Sequence, residues 1–81
     1  MEQKDKFIVS VLNSLGLGVN AMIPRNVEMF ASRMRQTING IKVEVHSVTD
    51  NTLILDVNDG FSLEYKKNES RVIELKVLNK C

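Results

Sequence analysis

The chain has 81 residues, a formal net charge of +1, and hydrophobic residues at 43% of its positions. A chain of this length forms one domain with a modest core, and its hydrophobic content excludes wholesale disorder. The near-neutral charge supplies no long-range attraction to nucleic acid or to membranes. The prediction is therefore a single soluble domain over residues 1–81.

The first predicted element is a helix over about residues 5–15. Its apolar residues recur at a spacing that places them on one helical face: Phe7, Ile8, Val11, Leu12 and Leu15. A strand over Phe7–Leu12 is the competing interpretation, because isoleucine and valine are β-branched. That strand would put Ser10 on an otherwise apolar face, so the helix is favoured. Gly16 then suits a left-handed C-terminal cap.

A loop over residues 17–23 leads to a second predicted helix, at about residues 24–39. Pro24 suits the first turn of this helix, where its missing N–H group costs nothing, and Gly40 ends the helix. The apolar residues form one stripe: Val27, Phe30, Ala31, Met34 and Ile38. This stripe is expected to pack on the core.

From Ile41 onward, apolar and polar residues alternate, which is typical of strands with one buried face. Strands are expected at about residues 41–48, 52–58, 61–66 and 71–78. Their core-facing positions are Ile41, Val43, Val45, Leu53, Leu55, Val57, Phe61, Leu63, Tyr65, Ile73, Leu75 and Val77. Short polar turns between the strands, such as residues 58–60, indicate sequential hairpins. The predicted class is α+β, with the order ααββββ: two N-terminal helices packed on one face of a four-stranded antiparallel β-meander.

The chain ends on Cys81, its single cysteine. Small secreted domains usually carry several disulfides, so a lone cysteine favours a cytoplasmic location. No segment resembles a signal peptide or a membrane span, and no membrane partner is expected.

No motif predicts catalysis, a cofactor or a metal site. Residues 16–21 match G-x-G-x-x-A, but a predicted helix precedes them and Pro24 interrupts the helix that a dinucleotide site requires after them. Residues 56–60 resemble the start of a calcium loop, but the spacing is too short and no glutamate closes the site. His46, the single histidine, is interpreted as a surface residue near Glu44 and Asp56 on the polar sheet face. The chain is therefore predicted to be non-enzymatic.

The candidate site lies on the outward face of the second helix. Met29 is expected at the centre of this face, with Arg25 one turn before it and Arg33 one turn after it. Ser32 and Gln36 flank the same strip. Methionine adapts to the shape of a partner, and arginine is enriched in interfaces. These residues, which we call the arginine–methionine ridge, predict a partner-binding surface.

The leading functional hypothesis is a small non-enzymatic regulator that binds another protein, such as an inhibitor, an adaptor or a regulatory subunit. Short proteins without chemistry motifs are common among phage and mobile-element accessory proteins, so an origin of that kind is expected. The alternative is a nucleic-acid-binding module that uses the second helix, which the near-neutral charge disfavours.

A homo-oligomer is also expected. The last strand, at residues 71–78, would be an open edge of the sheet, and open edges pair readily with other chains. Val72 and Leu78 would in addition place apolar side chains on the polar face of the sheet.

Overall fold

The computed structural model of the chain describes residues 3–57 and 60–79, and the side chains of residues 5–57 and 60–78. Two helices, α1 (Gln3–Ser14) and α2 (Val27–Thr37), precede four strands: β1 (Val43–Val48), β2 (Thr52–Val57), β3 (Phe61–Asn68) and β4 (Arg71–Asn79). The strands form one antiparallel sheet in the order β1-β2-β3-β4, which confirms the α+β class. Asn58 and Asp59, in the predicted β2–β3 turn, lie outside the described residues. Neither described helix is long and apolar enough to cross a membrane.

The end of α1 is set by Gly16, as the sequence predicts. Gly16 has a φ of +75°, and its N–H donates to the carbonyl of Asn13 at 3.2 Å. The N–H of Leu17 donates to the carbonyl of Leu12 at 2.8 Å. This is the Schellman arrangement, in which a left-handed residue ends the helix and two apolar side chains pack beside it. Leu12 and Leu17 are both buried, so the end of α1 is anchored in the core.

The buried face of α1 differs from the predicted one. Three residues of the predicted core stripe are exposed: Phe7 by 69%, Val11 by 37% and Leu15 by 41%. The face that α1 turns inward carries two buried and two partly buried residues, which are Asp5, Leu12, Ile8 and Val9. Apolar residues on α1 cover more than half a turn, so they offer two overlapping stripes and only one can be buried. The assignment of Phe7, Val11 and Leu15 to the core is wrong.

The second helix starts at Val27, later than the predicted start at residue 24. Asn26 is its N-cap: the side chain accepts a hydrogen bond from the N–H of Glu28 at 3.1 Å. An N-cap side chain satisfies a helix N–H group that would otherwise lack a partner, so Asn26 rather than Pro24 sets the start. The predicted stripe of this helix is confirmed, with Phe30, Ala31 and Met34 buried and Val27 and Ile38 partly buried.

The pairing of β3 with β4 shifts register between Lys66 and Lys67, where β4 carries an extra residue. Because side chains alternate along a strand, such a bulge moves the residues on one side of it to the other face. Val72 is consequently fully buried, and Ile73 is 58% exposed. The predicted orientations of these two residues are wrong. Leu75, beyond the bulge, is buried as predicted.

The connection between the helices runs along β4. The N–H of Asn20 donates to the carbonyl of Val72 at 2.8 Å, and the N–H of Val72 donates to the carbonyl of Ala21 at 2.9 Å. The N–H of Ile23 donates to the carbonyl of Ser70 at 2.8 Å. The chain therefore covers the beginning of the edge that the sequence predicts to be open, and Val72 is not an exposed apolar residue that a second copy could cover.

Residues from both helices, the connection and all the strands form one hydrophobic core: Leu12, Leu17, Ala21, Ile23, Phe30, Ala31, Met34, Val43, Leu53, Leu55, Val57, Leu63, Tyr65, Val72 and Leu75. The rings of Phe30 and Tyr65 meet edge to face, with centroids 5.4 Å apart and an interplanar angle of 86°. The Tyr65 hydroxyl donates to the carbonyl of Leu17 at 2.7 Å. These contacts join α2, β3 and the interhelical connection.

Glu69, in the turn between β3 and β4, has a φ of +58°. This left-handed conformation costs a residue with a Cβ atom about 1–2 kcal/mol, and glycine adopts it without that cost. Glycine also gains freedom in the unfolded chain, which offsets part of the benefit. We expect Glu69→Gly to raise the free energy of unfolding by up to about 1 kcal/mol, measured by urea denaturation. Glu69→Ala is the control, because it removes the carboxylate but keeps the Cβ atom. A glycine variant less stable than the alanine variant would contradict the expectation.

Candidate partner-binding site

The structure brings part of the arginine–methionine ridge together on the outward face of α2. Met29 is 61% exposed, and Arg33 and Gln36 follow it at helical spacing and are also exposed. Ser32 is half-buried at the margin of this face. A flexible apolar side chain thus lies in water beside a cation and an amide.

Arg25 lies in the loop before α2, because the helix starts only after Asn26. The expectation that Arg25 lies on the helix, one turn before Met29, is wrong. Arg25 instead lines an open cleft of about 450 Å³. The same cleft is lined by one further cation, Lys67, by the acidic residues Asp50 and Glu69, and by polar and apolar side chains. The part of Arg25 in partner binding stays a prediction.

The arginines near this site differ in their internal contacts. Arg35 donates from Nη1 to the carbonyl of Val43 at 2.6 Å, and its Nη2 lies 3.5 Å from Oε2 of Glu28. Arg35 therefore ties α2 to β1. Arg25 and Arg33 have no ion pair or side-chain hydrogen bond within the described part of the chain. Their guanidinium groups are available to a carboxylate or a phosphate of a partner.

On the polar side of the sheet, His46, Asp56 and Ser62 form a hydrogen-bonded row. His46 Nδ1 lies 3.0 Å from Asp56 Oδ2, and the Ser62 hydroxyl donates to Asp56 Oδ1 at 2.7 Å. Nucleophilic catalysis needs the imidazole next to the hydroxyl, whereas here the carboxylate lies between them. The row therefore orients His46 without activating Ser62. The sequence predicts Asp56 beside His46 but does not indicate that Ser62, which is buried, joins them.

The local structure requires glycine at both glycine positions within residues 16–21. Gly16 caps α1, and a Cβ atom at Gly18 would overlap the side chain of Asn13. The Asn13 Oδ1 accepts a hydrogen bond from the N–H of Val19 at 2.8 Å. The chain then pairs with β4 and begins no helix, although a dinucleotide site requires a helix N-terminus there. Within residues 3–57 and 60–79, no group of three acidic, histidine or cysteine side chains is placed to hold a metal ion.

A second exposed apolar surface lies on α1, at residues that the sequence analysis assigned to the core. We call Phe7, Val11 and Leu15 the α1 ridge. Phe7 and Val11 line an open groove of about 160 Å³. The other lining residues come from α1, from α2, from the connection between α2 and β1, and from the sheet, and all are apolar: Ile8, Leu12, Met34, Ile38, Ile41, Val57, Phe61 and Leu63.

Comparison with known proteins gives no match at any level. No family model matches the chain, no curated protein matches its sequence, and no solved structure matches its fold. What this chain binds is therefore inferred from its own residues and contacts.

Proposed function

We propose that this chain is a small, non-enzymatic, cytoplasmic regulator that binds another protein through the outward face of α2. It would act as an inhibitor, an adaptor or a regulatory subunit. The observation that carries the proposal is the 61% exposure of Met29 next to Arg33, a cation with no internal partner among the described residues. Methionine and arginine are both enriched in protein interfaces.

The partner surface that fits this face is acidic and partly apolar. Arg33 offers a guanidinium group that binds a carboxylate through two parallel hydrogen bonds. Met29 has a flexible side chain that fills an irregular apolar depression. Gln36 supplies both a donor and an acceptor at the rim, and Arg25 and Ser32 extend the contact at either side.

In this proposal both helices lie on the same face of the sheet, and the exposed face of α2 is turned to solvent. The shared hydrophobic core, which includes residues of both helices and of every strand, supports this arrangement. The other face of the sheet pairs opposite charges across strands: Lys66 Nζ lies 3.3 Å from Glu74 Oε1. Because those charges offset one another, α2 is the better docking surface.

The test begins by capturing the native partner from the host and identifying it by mass spectrometry. The dissociation constant of the purified pair is then measured for Met29→Ala and Arg33→Glu. Each is expected to weaken binding at least about tenfold, because interface anchors are typically worth 1–2 kcal/mol or more. Lys76→Glu, with the same charge change on β4, is the control and should change affinity less than about twofold. Unchanged affinity for both α2 variants, with their thermal midpoints intact, would show that this face does not bind.

Nucleic-acid binding through α2 is the alternative outcome of the same variants. Binding driven by phosphate contacts responds to Arg33→Glu but little to Met29→Ala, and it weakens steeply as salt increases. A salt titration against generic DNA and RNA separates the two cases, since protein binding through Met29 predicts little affinity for either nucleic acid.

A further inference from the structure

The α1 ridge is an exposed apolar row that runs from Phe7, in the first half of α1, to Leu15, just past the last helical residue. Phe7, Val11 and Leu15 are exposed by 69%, 37% and 41%, and they follow one i, i+4, i+8 line. Leu15 continues the line past the last helical residue, because its N–H donates to the carbonyl of Val11 at 3.1 Å. Contiguous exposed apolar side chains mark interaction sites in small proteins.

On α1, the exposed surface beside Val11 and Leu15 carries no charge among the described residues, and Lys6 marks its N-terminal limit next to Phe7. The sequence has no charged residue between Lys6 and Arg25, and the exposed neighbours of the ridge on α1 are Ser10, Asn13 and Ser14. Solvent-facing helix sides normally carry charges, whereas the centres of interfaces are depleted of them. A surface of this kind has no charged group that could form an ion pair with a charged partner. Two identical copies of it, in contrast, meet without like-charge repulsion.

The ridge and the apolar groove beside it share Phe7 and Val11. A two-fold interface needs one surface that holds both a protrusion and a recess to receive it. The groove, at about 160 Å³, is smaller than the roughly 300–1,000 Å³ of typical small-molecule sites. It is therefore suited to apolar side chains from a facing helix, and the ridge supplies such side chains.

From these observations we propose that this chain forms a homodimer in which the α1 ridge packs, antiparallel, on the α1 ridge of a second copy. The ridge is symmetric about Val11, so the two Val11 side chains meet on the two-fold axis. Leu15 of each copy then faces Phe7 of the other at the mouth of the groove. This inference goes beyond the proposed function, since it uses α1 and leaves the exposed face of α2 free for a different partner.

Sedimentation analysis of the full chain tests the dimer. The wild type is expected to be a 9.2 kDa monomer at low concentration. Its mass should double as the protein concentration rises, before the high micromolar range is reached. Val11→Asp places two carboxylates on the axis and should keep the protein monomeric. Phe7→Ala should raise the dissociation constant roughly 10- to 100-fold, because a phenylalanine side chain is no longer buried. Ser10→Asp, an equal charge at the neighbouring exposed position, is the control and should still dimerise.

A disulfide places the axis independently of any added charge. In a Cys81→Ser background, Val11→Cys should form a covalent dimer on mild oxidation, because facing residues at a helix crossing come within disulfide range. Ser10→Cys, off the ridge, should not. The Val11→Cys variant also tests the dimer if Val11→Asp fails to fold.

Three results would overturn the proposal. They are a wild type that stays monomeric at high micromolar concentration, a dimer that survives in folded Val11→Asp, and a Val11→Cys variant that does not cross-link. Phe7-dependent binding to neutral phosphatidylcholine vesicles by a monomer would assign the ridge to a lipid surface instead. Met29→Ala should leave the dimer unchanged, so failure of the dimer and failure of the proposed function are distinguishable.

Discussion

Phe30→Ala is expected to lower the free energy of unfolding by about 3–5 kcal/mol. Phe30 is fully buried, and its ring meets that of Tyr65 edge to face at a centroid distance of 5.4 Å. Truncation removes this contact and leaves a cavity in the hydrophobic core that the described residues form. Since domains are typically stable by about 5–15 kcal/mol, the loss is a large part of the total. Urea denaturation followed by circular dichroism measures it.

Two matched controls make this expectation specific to the buried faces. Met29→Ala changes the adjacent, exposed residue of α2 and should alter the free energy of unfolding by less than about 0.5 kcal/mol. On the sheet, Leu55→Ala should cost about 2–5 kcal/mol, and Ile54→Ala, at a half-buried position facing the other way, should cost clearly less. Equal midpoints for Phe30→Ala and Met29→Ala would show that the assigned face of α2 is wrong.

Raising the pH above about 10 is expected to destabilise the protein through Tyr65. Burial raises the pKa of the Tyr65 phenol well above its ordinary value of 10.0. As the pH rises, the unfolded chain therefore releases this proton before the folded protein does. The stability is fully present below the unfolded pKa and falls by about 1.4 kcal/mol per pH unit above it. Because Tyr65 is the single tyrosine, tyrosinate absorbance follows its ionisation directly.

Tyr65→Phe tests the same group by removing its hydroxyl. That hydroxyl donates to the carbonyl of Leu17 at 2.7 Å, so the substitution leaves a buried acceptor without a partner. At neutral pH we expect a loss of about 1–3 kcal/mol in the free energy of unfolding. Above pH 10 the variant should lose stability less steeply than the wild type. An identical alkaline slope in both proteins would show that Tyr65 does not cause the effect.

The element types were predictable because they depend on local patterns. The apolar period changes at Ile41, and that change separates the helices from the strands without any knowledge of contacts. Gly16 was predictable as a cap for the same reason, since a left-handed residue after an apolar stripe is a local signal. The start of α2 was not predictable from the sequence, because Pro24 and Asn26 are both suitable residues for a helix N-terminus. The hydrogen bond from the N–H of Glu28 to the Asn26 side chain decides in favour of Asn26.

The two candidate surfaces also differ in how far the sequence alone predicts them. Helical spacing was enough to group Met29, Arg33 and Gln36, because residues four and seven apart share a face wherever the helix lies. The α1 ridge needed the tertiary structure, since Phe7 fits a core stripe as well as an exposed one. The uncharged run after Lys6 is a sequence signal that could have indicated this ridge.

By itself, the sequence determined the order and type of the elements and the buried face of α2. Only the tertiary structure decided which side of α1 is buried, where β4 bulges, and that the interhelical connection pairs with Val72. It also decided that Ser62 joins His46 at Asp56. The physical reason is range: periodicity records which residues of one segment share a face, whereas register and docking depend on contacts between segments far apart in the chain.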